Sequence, residues 1–127
     1  MKYQSIVLGG TFDPIHKGHE ALFQKAFAVG QHVLIALTSD AYVKKFKNSK
    51  LKIKNFTKRK KDLQDWLNKQ GWRARCVIIP IDDPYGPSIH APLDAIVVSQ
   101  ETAVRAEEIN SMRKIKGLKP LDVIVMP

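Results

Sequence analysis

The sequence predicts a doubly wound α/β protein in which a five-stranded parallel sheet carries helices on both faces. Short apolar runs alternate with segments of helical spacing along all 127 residues. The runs are continuous in apolar, often β-branched residues, as strands buried on both faces require. In such sheets ligands bind beyond the carboxyl ends of the strands, where the strand order reverses. The segments that follow the strands are therefore the candidate functional positions.

The first part of this alternation contains two strands and one helix. Residues Tyr3–Leu8 form a β-rich run that ends at a glycine pair. From Gly18 to Val29, apolar residues recur at steps of three and four, which predicts a helix with Gly30 as its C-cap. The β-branched run His32–Thr38 is the second predicted strand.

Three further helices and three strands complete the prediction. Ser39 and Asp40 can cap a short helix that ends near Lys45. Thr57 is the predicted N-cap of a helix that runs to about Gln70. The remaining elements are a strand over Ala74–Ile79, a loop over Pro80–Pro92, a strand over Ala95–Val98, a helix from Ser99 to about Lys116 and a strand over Leu121–Met126.

Length and composition fit one globular domain that occupies residues 1–127. The 44% of hydrophobic and 26% of charged residues exclude a disordered chain, and no apolar run approaches the roughly 20 residues of a membrane span. Cys76 is the only cysteine, so no internal disulfide can form, as is usual in a reducing compartment. We expect a cytoplasmic protein that does not associate with a membrane.

The net charge of +9 is concentrated in one segment. Residues 44–61 contain ten of the 21 basic residues and no acidic one, which leaves 11 basic and 12 acidic residues elsewhere. A basic segment indicates a polyanionic partner, which is a nucleic acid, an acidic membrane surface or a phosphorylated small molecule. The alternative is that residues 44–61 form a solvated loop without a partner. Nucleic acid is disfavoured, because Phe46 and Phe56 are the only aromatic residues within the segment.

The segment after the first strand has the residue types of a phosphate site. Residues 9–19 read Gly-Gly-Thr-Phe-Asp-Pro-Ile-His-Lys-Gly-His. Glycines allow a ligand to approach the backbone, and a helix start favours anions. His16 and His19 share one helix face and can donate hydrogen bonds to phosphate oxygens. Half a metal site is the alternative, but no third ligand is fixed by spacing, and no side chain is assigned to a metal.

This segment resembles the GGTFDxxHxGH signature of the cytidylyltransferase-like nucleotidyltransferases. More narrowly, the chain resembles the archaeal-type phosphopantetheine adenylyltransferases through residues 36–40, 83–87, 96–102, 109–113 and 117–121. The resemblance implies a Rossmann-like fold. It also implies transfer of AMP from ATP, with Mg²⁺, to 4′-phosphopantetheine, which gives dephospho-coenzyme A and pyrophosphate. The first motif alone does not distinguish ATP from CTP.

The resemblance also implies roles for individual residues. His19 would stabilise the transition state, His16 would hold ATP phosphates, and Thr11 would orient a reacting phosphate. Lys44 or Lys45 would bridge the phosphates of the two substrates, whereas the later Lys58–Lys61 are expected to be solvated. The predicted binding residues are Gly9, Gly10, Thr11, Phe12, Asp13, Gly18, Thr38, Asp83, Tyr85, Ser99, Glu101 and Thr102.

Several of these positions keep a second interpretation. Asp83 and Tyr85 either face the pantetheine or form a turn, and Ser99 and Thr102 either approach adenine and ribose or cap a helix. Beyond the fifth strand the family has an Ile-Ser-Ser-Thr-x-Ile-Arg segment that binds ATP phosphates. The sequence stops at Pro127, before that segment, so either it is a shortened piece of the protein or the protein lacks part of the triphosphate clamp.

Three alternative functions therefore stay open. One is a cytidylyltransferase that acts on a phosphorylated alcohol, which shares the first motif. Another is a non-catalytic nucleotide-binding domain, and the third is a nucleic-acid binder that uses residues 44–61. An oligomer is also compatible with the sequence, because family members range from monomers to hexamers.

Overall fold

Five parallel strands form one sheet in the computed structural model, which describes residues 1–47 and 52–127. Lys50 of the basic segment lies outside the described residues. The strands are β1 (Tyr3–Gly10), β2 (Gly30–Thr38), β3 (Cys76–Ile81), β4 (Ala95–Ser99) and β5 (Asp122–Met126). The helices are α1 (Lys17–Val29), α2 (Asp40–Phe46), α3 (Phe56–Gln70) and α4 (Ala103–Ile115), with short 3₁₀ turns at Arg73–Arg75 and Gly86–Ile89.

The strand order β3-β2-β1-β4-β5 places β1 at the centre of the sheet. Ile6 of β1 pairs with Val33 of β2 on one side and with Ala95 of β4 on the other. The chain builds outward from β1 to β3 and then returns to the other side of β1 for β4. The strand order therefore reverses between β1 and β4, and their carboxyl ends are where a ligand site is expected.

Helices cover both faces of the sheet, because successive side chains of a strand point to opposite faces. Ile6 and Leu8 pack in one core cluster with Phe23 of α1 and Leu63 of α3. Val7, between them, packs on the other face in a second cluster. That cluster also contains Leu93, Ile96, Val98, Ala106, Ile109 and Leu121. The predicted doubly wound α/β class is confirmed.

Several predicted boundaries are wrong where tertiary contacts prevail over local pattern. The N-cap of α3 is Asn55, not Thr57, and its side chain accepts a hydrogen bond from the Lys58 N–H at 2.9 Å. Gly30 is the C-cap of α1, as predicted, but its φ of −112° is extended rather than left-handed, because it also pairs with Tyr3 inside the sheet. A Cβ on Gly30 would lie 2.5 Å from Cγ2 of Ile6, so sheet packing requires a glycine there.

The ends of the later elements also shift by a few residues. The third strand begins at Cys76, because Arg73–Arg75 form a 3₁₀ turn before it, and it runs to Ile81. The fourth helix begins at Ala103, and residues 99–102 form the turn that leads into it. Within the described residues, no helix is both long and apolar enough to cross a membrane.

Candidate active site

A cavity of about 330 Å³ lies at the carboxyl ends of the strands, where the strand order reverses. Its lining combines residues from the ends of β1, β2, β3 and β4 with the first turns of α4. Among the predicted binding residues, the structure brings together Gly9, Gly10, Thr38, Tyr85, Ser99, Glu101 and Thr102 on its wall. The remaining predicted residues lie outside this lining: Thr11, Phe12, Asp13, His16, Gly18, His19, Lys44, Lys45 and Asp83.

The two histidines of the first motif form a stacked pair at the start of α1. Their ring centroids lie 3.7 Å apart. His16 is the N-cap, and its Nδ1 accepts a hydrogen bond from the Gly18 N–H at 3.1 Å. In return, the backbone N–H of His16 donates to Nδ1 of His19 at 3.3 Å. This is a capping box built from two imidazoles instead of a hydroxyl and a carboxylate.

The capping box sets the tautomer of both imidazoles. A neutral imidazole whose Nδ1 accepts a hydrogen bond has its proton on Nε2. The Nε2–H groups of His16 and His19 are therefore the donors available to a ligand. Burial and the neighbouring His16 ring lower the pKa of His19 from 6.5, although the Pro14 carbonyl acts in the opposite direction. At neutral pH His19 is a hydrogen-bond donor without a net charge.

Phe12 supports this pair from the core. Its backbone has a positive φ of 49°, which turns the chain and places the ring in the buried cluster. The ring meets the His19 imidazole edge-on at 5.0 Å and packs on Phe23 at 4.9 Å. A Cβ on Gly10 would lie 2.8 Å from this ring, so the second glycine of the pair leaves space for Phe12.

Thr11 and Thr38 join the first motif to the end of β2. The hydroxyl of Thr38 donates to that of Thr11 at 2.9 Å. Behind them lies Arg59 of α3, which is fully buried and donates to the Thr38 hydroxyl at 3.2 Å. The expectation that Lys58–Lys61 are all solvated is thus wrong for Arg59. The sequence held a signal, because Arg59, Leu63 and Leu67 recur at steps of four and are all buried.

Asp13 contacts the basic segment rather than the cavity. Its carboxylate accepts a hydrogen bond from the backbone N–H of Lys54, and the Lys54 ammonium lies 3.5 Å away. The Asp13 side chain is only 8% exposed. The structure thus uses Asp13 to attach residues that precede α3 to the first motif, and its predicted role in nucleotide binding stays a prediction.

The lysine that reaches the cavity is Lys47. Lys44 and Lys45 are exposed in the last turn of α2, and the ammonium of Lys45 lies 5.3 Å from the centre of the Phe46 ring. Lys47 follows that helix and lines the cavity. Sequence reasoning missed it, because a lysine run gives no sign of which side chain faces inward.

Ion pairs partly neutralise the rest of the basic segment. Asp62 lies 3.2 Å from the Lys54 ammonium and 2.9 Å from that of Lys58, and Asp65 lies 3.2 Å from that of Lys61. These acidic residues come just after the segment, so they do not show in its count of charges. The lysines at the start of α3 are therefore not a continuous cationic patch, which weakens the nucleic-acid alternative.

Tyr85 forms part of the cavity wall, and Asp83, outside the lining, holds its backbone in place. Oδ1 of Asp83 accepts hydrogen bonds from the backbone N–H groups of Tyr85 at 2.8 Å and Gly86 at 2.9 Å, which is an Asx turn. The phenol of Tyr85 donates to Glu108 of α4 at 2.6 Å, and the Arg105 guanidinium lies 5.5 Å from its ring. The hydrogen bond to Glu108 and burial raise the pKa of Tyr85, so its proton stays bound.

Ser99 and Thr102 form a reciprocal pair in the turn before α4. The Ser99 N–H donates to the Thr102 hydroxyl at 3.0 Å, and the Thr102 N–H donates to the Ser99 hydroxyl at 3.3 Å. The two side chains thus close the turn before α4, but the side-chain cap that the alternative interpretation predicted does not form, because the N-cap Thr102 accepts no hydrogen bond from the first turn of the helix. They also line the cavity together with the exposed Glu101, so their predicted contact with adenine and ribose stays a prediction.

The loop after β3 is held by a buried arginine. Arg113 of α4 is 2% exposed and donates to the backbone carbonyls of Ser88 at 2.9 Å and Ala91 at 2.8 Å. Asn110 exchanges two hydrogen bonds with the backbone of Leu121 and so attaches α4 to the start of β5. Residues 109–113, which are part of the resemblance to the family, thus have a structural role.

The chemistry of the site is that of an anion receptor. Two imidazole Nε2–H groups and the Thr11 hydroxyl lie near a helix N-terminus, which favours negative charge. Within residues 1–47 and 52–127, no group of three His, Cys, Asp or Glu side chains could hold a metal ion.

Known proteins match the chain over nearly its full length. The cytidylyltransferase-like family model matches residues 7–127. A phosphopantetheine adenylyltransferase of Pyrococcus abyssi is 45% identical over 128 residues, which are 100% of this chain and 80% of that protein. Another, of Pyrobaculum aerophilum, is 39% identical over 126 residues, which are 98% of this chain and 80% of that protein.

A solved structure shares the fold. It is a protein of unknown function from Archaeoglobus fulgidus, which superimposes with a TM-score of 0.86 at 26% identity, over 98% of this chain and 90% of that one. Sequence and fold thus agree with the geometry of the first motif. The chain belongs to the cytidylyltransferase-like family of nucleotidyltransferases and, within it, to the phosphopantetheine adenylyltransferases.

Proposed function

We propose that the protein transfers the adenylyl group of ATP to the phosphate of 4′-phosphopantetheine, giving dephospho-coenzyme A and pyrophosphate. The observation that carries the proposal is the stacked histidine pair, whose Nδ1 atoms are held by backbone N–H groups so that both Nε2–H groups can donate. Membership of the family supplies the substrate class. The pair lies beside the point where the sheet order reverses, which is where such sheets bind nucleotides.

In the proposed reaction an oxygen of the phosphopantetheine phosphate attacks the α-phosphorus of ATP in line. A new P–O bond forms as the bond from the α-phosphorus to the bridging oxygen breaks, and pyrophosphate leaves with that electron pair. No covalent intermediate with the protein is needed, so catalysis consists of positioning and charge stabilisation.

Each donor of the first motif has a place in this reaction. His19 donates from Nε2 to an α-phosphate oxygen, where negative charge grows in the transition state. His16 donates to the outgoing phosphates, and the Thr11 hydroxyl orients the attacking phosphate. Mg²⁺ enters as part of the substrate MgATP, and Lys47 contributes positive charge at the wall of the cavity.

The cavity provides room for the pantetheine arm. Its wall includes apolar side chains such as Val7 and Ile109, together with the polar side chains of Tyr85 and Glu108. This mixture suits an arm that carries methyl groups and two amides. The proposed place of action is the cytoplasm, in keeping with the unpaired, buried thiol of Cys76.

The test is a pyrophosphate-release assay with purified protein, 4′-phosphopantetheine, Mg²⁺ and either ATP or CTP. We expect turnover with ATP and a fall in kcat of about 100-fold in His19→Ala, the scale of losing one transition-state donor. His32→Ala is the matched control, because His32 is exposed near the amino end of β2, at the opposite edge of the sheet.

Each result decides a separate part of the proposal. Full turnover in His19→Ala would refute the assigned mechanism. Turnover with CTP alone would show a cytidylyltransferase, and ATP binding without product would show the non-catalytic alternative.

A further inference from the structure

We propose that Arg59 is a positioning residue that fixes the direction of a hydrogen-bond chain through Thr38 to Thr11, so that the Thr11 hydroxyl always presents its proton to a substrate phosphate. The inference rests on the proposed function and assigns part of its machinery to a helix that the first motif does not include. It follows from three steps, which concern the burial of Arg59, the direction of its hydrogen bonds and the proton of Thr11.

Arg59 is buried, and each of its three side-chain nitrogens donates a hydrogen bond. Its side chain is 0% exposed, although it carries a charge. Nε donates to the Lys54 carbonyl at 2.7 Å, and one terminal nitrogen donates to the Thr11 carbonyl at 3.3 Å and the Thr38 hydroxyl at 3.2 Å. The other terminal nitrogen lies 3.3 Å from the carboxylate of Asp40, which is 61% exposed.

A guanidinium can only donate. The Thr38 hydroxyl must therefore accept from Arg59, which leaves its own proton for another acceptor. That acceptor is the Thr11 hydroxyl oxygen at 2.9 Å. With an apolar residue in place of Arg59, nothing would donate to Thr38 from behind, and the two hydroxyls could exchange roles as donor and acceptor.

The proton of Thr11 is the free end of the chain. Its hydroxyl oxygen already accepts from Thr38, and in the described part of the protein the Thr11 hydroxyl donates to no protein acceptor. Thr11 is only partly buried and lies between the glycine pair and the histidines. An anionic oxygen bound there would receive this proton, and a chain that begins at a buried cation strengthens each bond along it.

A purely structural role for Arg59 makes a different prediction. Arg59 occupies a position of the buried stripe that Leu63 and Leu67 continue, where a large apolar residue would also fill the space. A buried charge is not needed for stability at such a position. If Arg59 served packing alone, the hydroxyl of Thr38 would be dispensable for activity.

The test is a double-mutant cycle in the pyrophosphate-release assay with ATP, Mg²⁺ and 4′-phosphopantetheine. Thr38→Val removes the hydroxyl at nearly constant volume, and we expect kcat/KM to fall about tenfold. In a Thr11→Val background the same change should cost less than about twofold, because the chain has already lost its end. Thr38→Ser, which restores a hydroxyl, should recover most of the lost kcat/KM.

Arg59→Met extends the cycle, with Arg113→Met as its matched control. Both arginines are buried, but Arg113 donates to backbone carbonyls on the other side of the sheet. Both substitutions are expected to lower Tm. The effect of Arg59→Met on kcat/KM should be smaller in the Thr11→Val background than in the unaltered protein, whereas any effect of Arg113→Met should be the same in both backgrounds. Equal kcat/KM for Thr38→Val and Thr38→Ser, or effects of Thr38→Val and Thr11→Val that multiply independently, would overturn the proposal.

Failure of the proposed function is a separate outcome. If the unaltered protein releases no pyrophosphate, that function is wrong, and the Kd of 4′-phosphopantetheine measured by calorimetry decides on the hydrogen-bond chain. A Kd about tenfold higher in Thr38→Val, with recovery in Thr38→Ser, would support it. An unchanged Kd in both variants would refute it.

Discussion

Replacing Gly10 by alanine tests how the core supports the histidine pair. The new Cβ would lie 2.8 Å from Cζ and 2.9 Å from Cε1 of Phe12, closer than carbon atoms can approach without movement. The Phe12 ring is buried between Phe23 at 4.9 Å and His19 at 5.0 Å, so a shift of the ring is passed to the His19 imidazole. Gly10 has no positive φ, so the substitution adds no backbone strain.

The expected loss of stability follows from overpacking, which costs about 1–3 kcal/mol in a well-packed core. With an unfolding entropy of about 2.1 cal/mol/K per residue over 127 residues, a loss of about 2 kcal/mol lowers Tm by about 7 °C. If His19 is the donor that we propose, its displacement by a fraction of an ångström adds a fall in kcat of about tenfold.

Thermal unfolding and pyrophosphate release measure the two effects. Gly117→Ala is the matched control: Gly117 has φ +74°, and a Cβ added to it would meet no atom within 4 Å, so alanine costs backbone strain of about 1–2 kcal/mol without touching the site. We expect Gly117→Ala to have a lower Tm than the unaltered protein and the same kcat. If Gly10→Ala retains the kcat of the unaltered protein, the mechanical link from Phe12 to His19 is refuted.

Two further predictions concern the ionisable groups of the site. The pKa of His19 is lowered from 6.5, so its stabilising contribution is complete above pH 6.5 and is lost as the pH falls through the folded-state pKa. His19→Gln keeps an acceptor for the His16 N–H but has no titrating ring. Between about pH 7.5 and 5, the Tm of this variant should therefore fall less than the Tm of the unaltered protein. An equal fall in both proteins would contradict a lowered pKa of His19. Tyr85→Phe removes the 2.6 Å hydrogen bond to Glu108 and should raise KM for 4′-phosphopantetheine about threefold while KM for ATP stays constant. Equal increases in both KM values would place Tyr85 away from the pantetheine side.

The short-range features of this protein were readable from the sequence. The apolar runs predicted the parallel sheet, because strands buried on both faces need apolar side chains at every position. The capping box of His16 and His19 links residues three apart, so its position follows from one helix start. For the same reason the N-cap Ser39 was predictable, since its hydroxyl accepts from the Tyr42 N–H within the same turn.

Local pattern failed where a distant group competes with it. The start of α3 lies at Asn55 rather than Thr57, and the Phe56 N–H donates to Asp40 at 2.7 Å, a residue of another helix. Gly30 caps α1 as predicted, but its pairing with Tyr3 inside the sheet was not predicted. At the start of α3, a contact made only in the folded chain is stronger than the local preference.

The sequence by itself determined the layers of this protein and the donors of its first motif, since both depend on side chains only a few positions apart. The tertiary structure alone decided what stands behind and around those donors. Arg59 reaches Thr38 across 21 positions and Thr11 across 48, and Tyr85 reaches Glu108 across 23. Such contacts exist only after the crossover helices have packed on the sheet, and no periodicity along the chain specifies them.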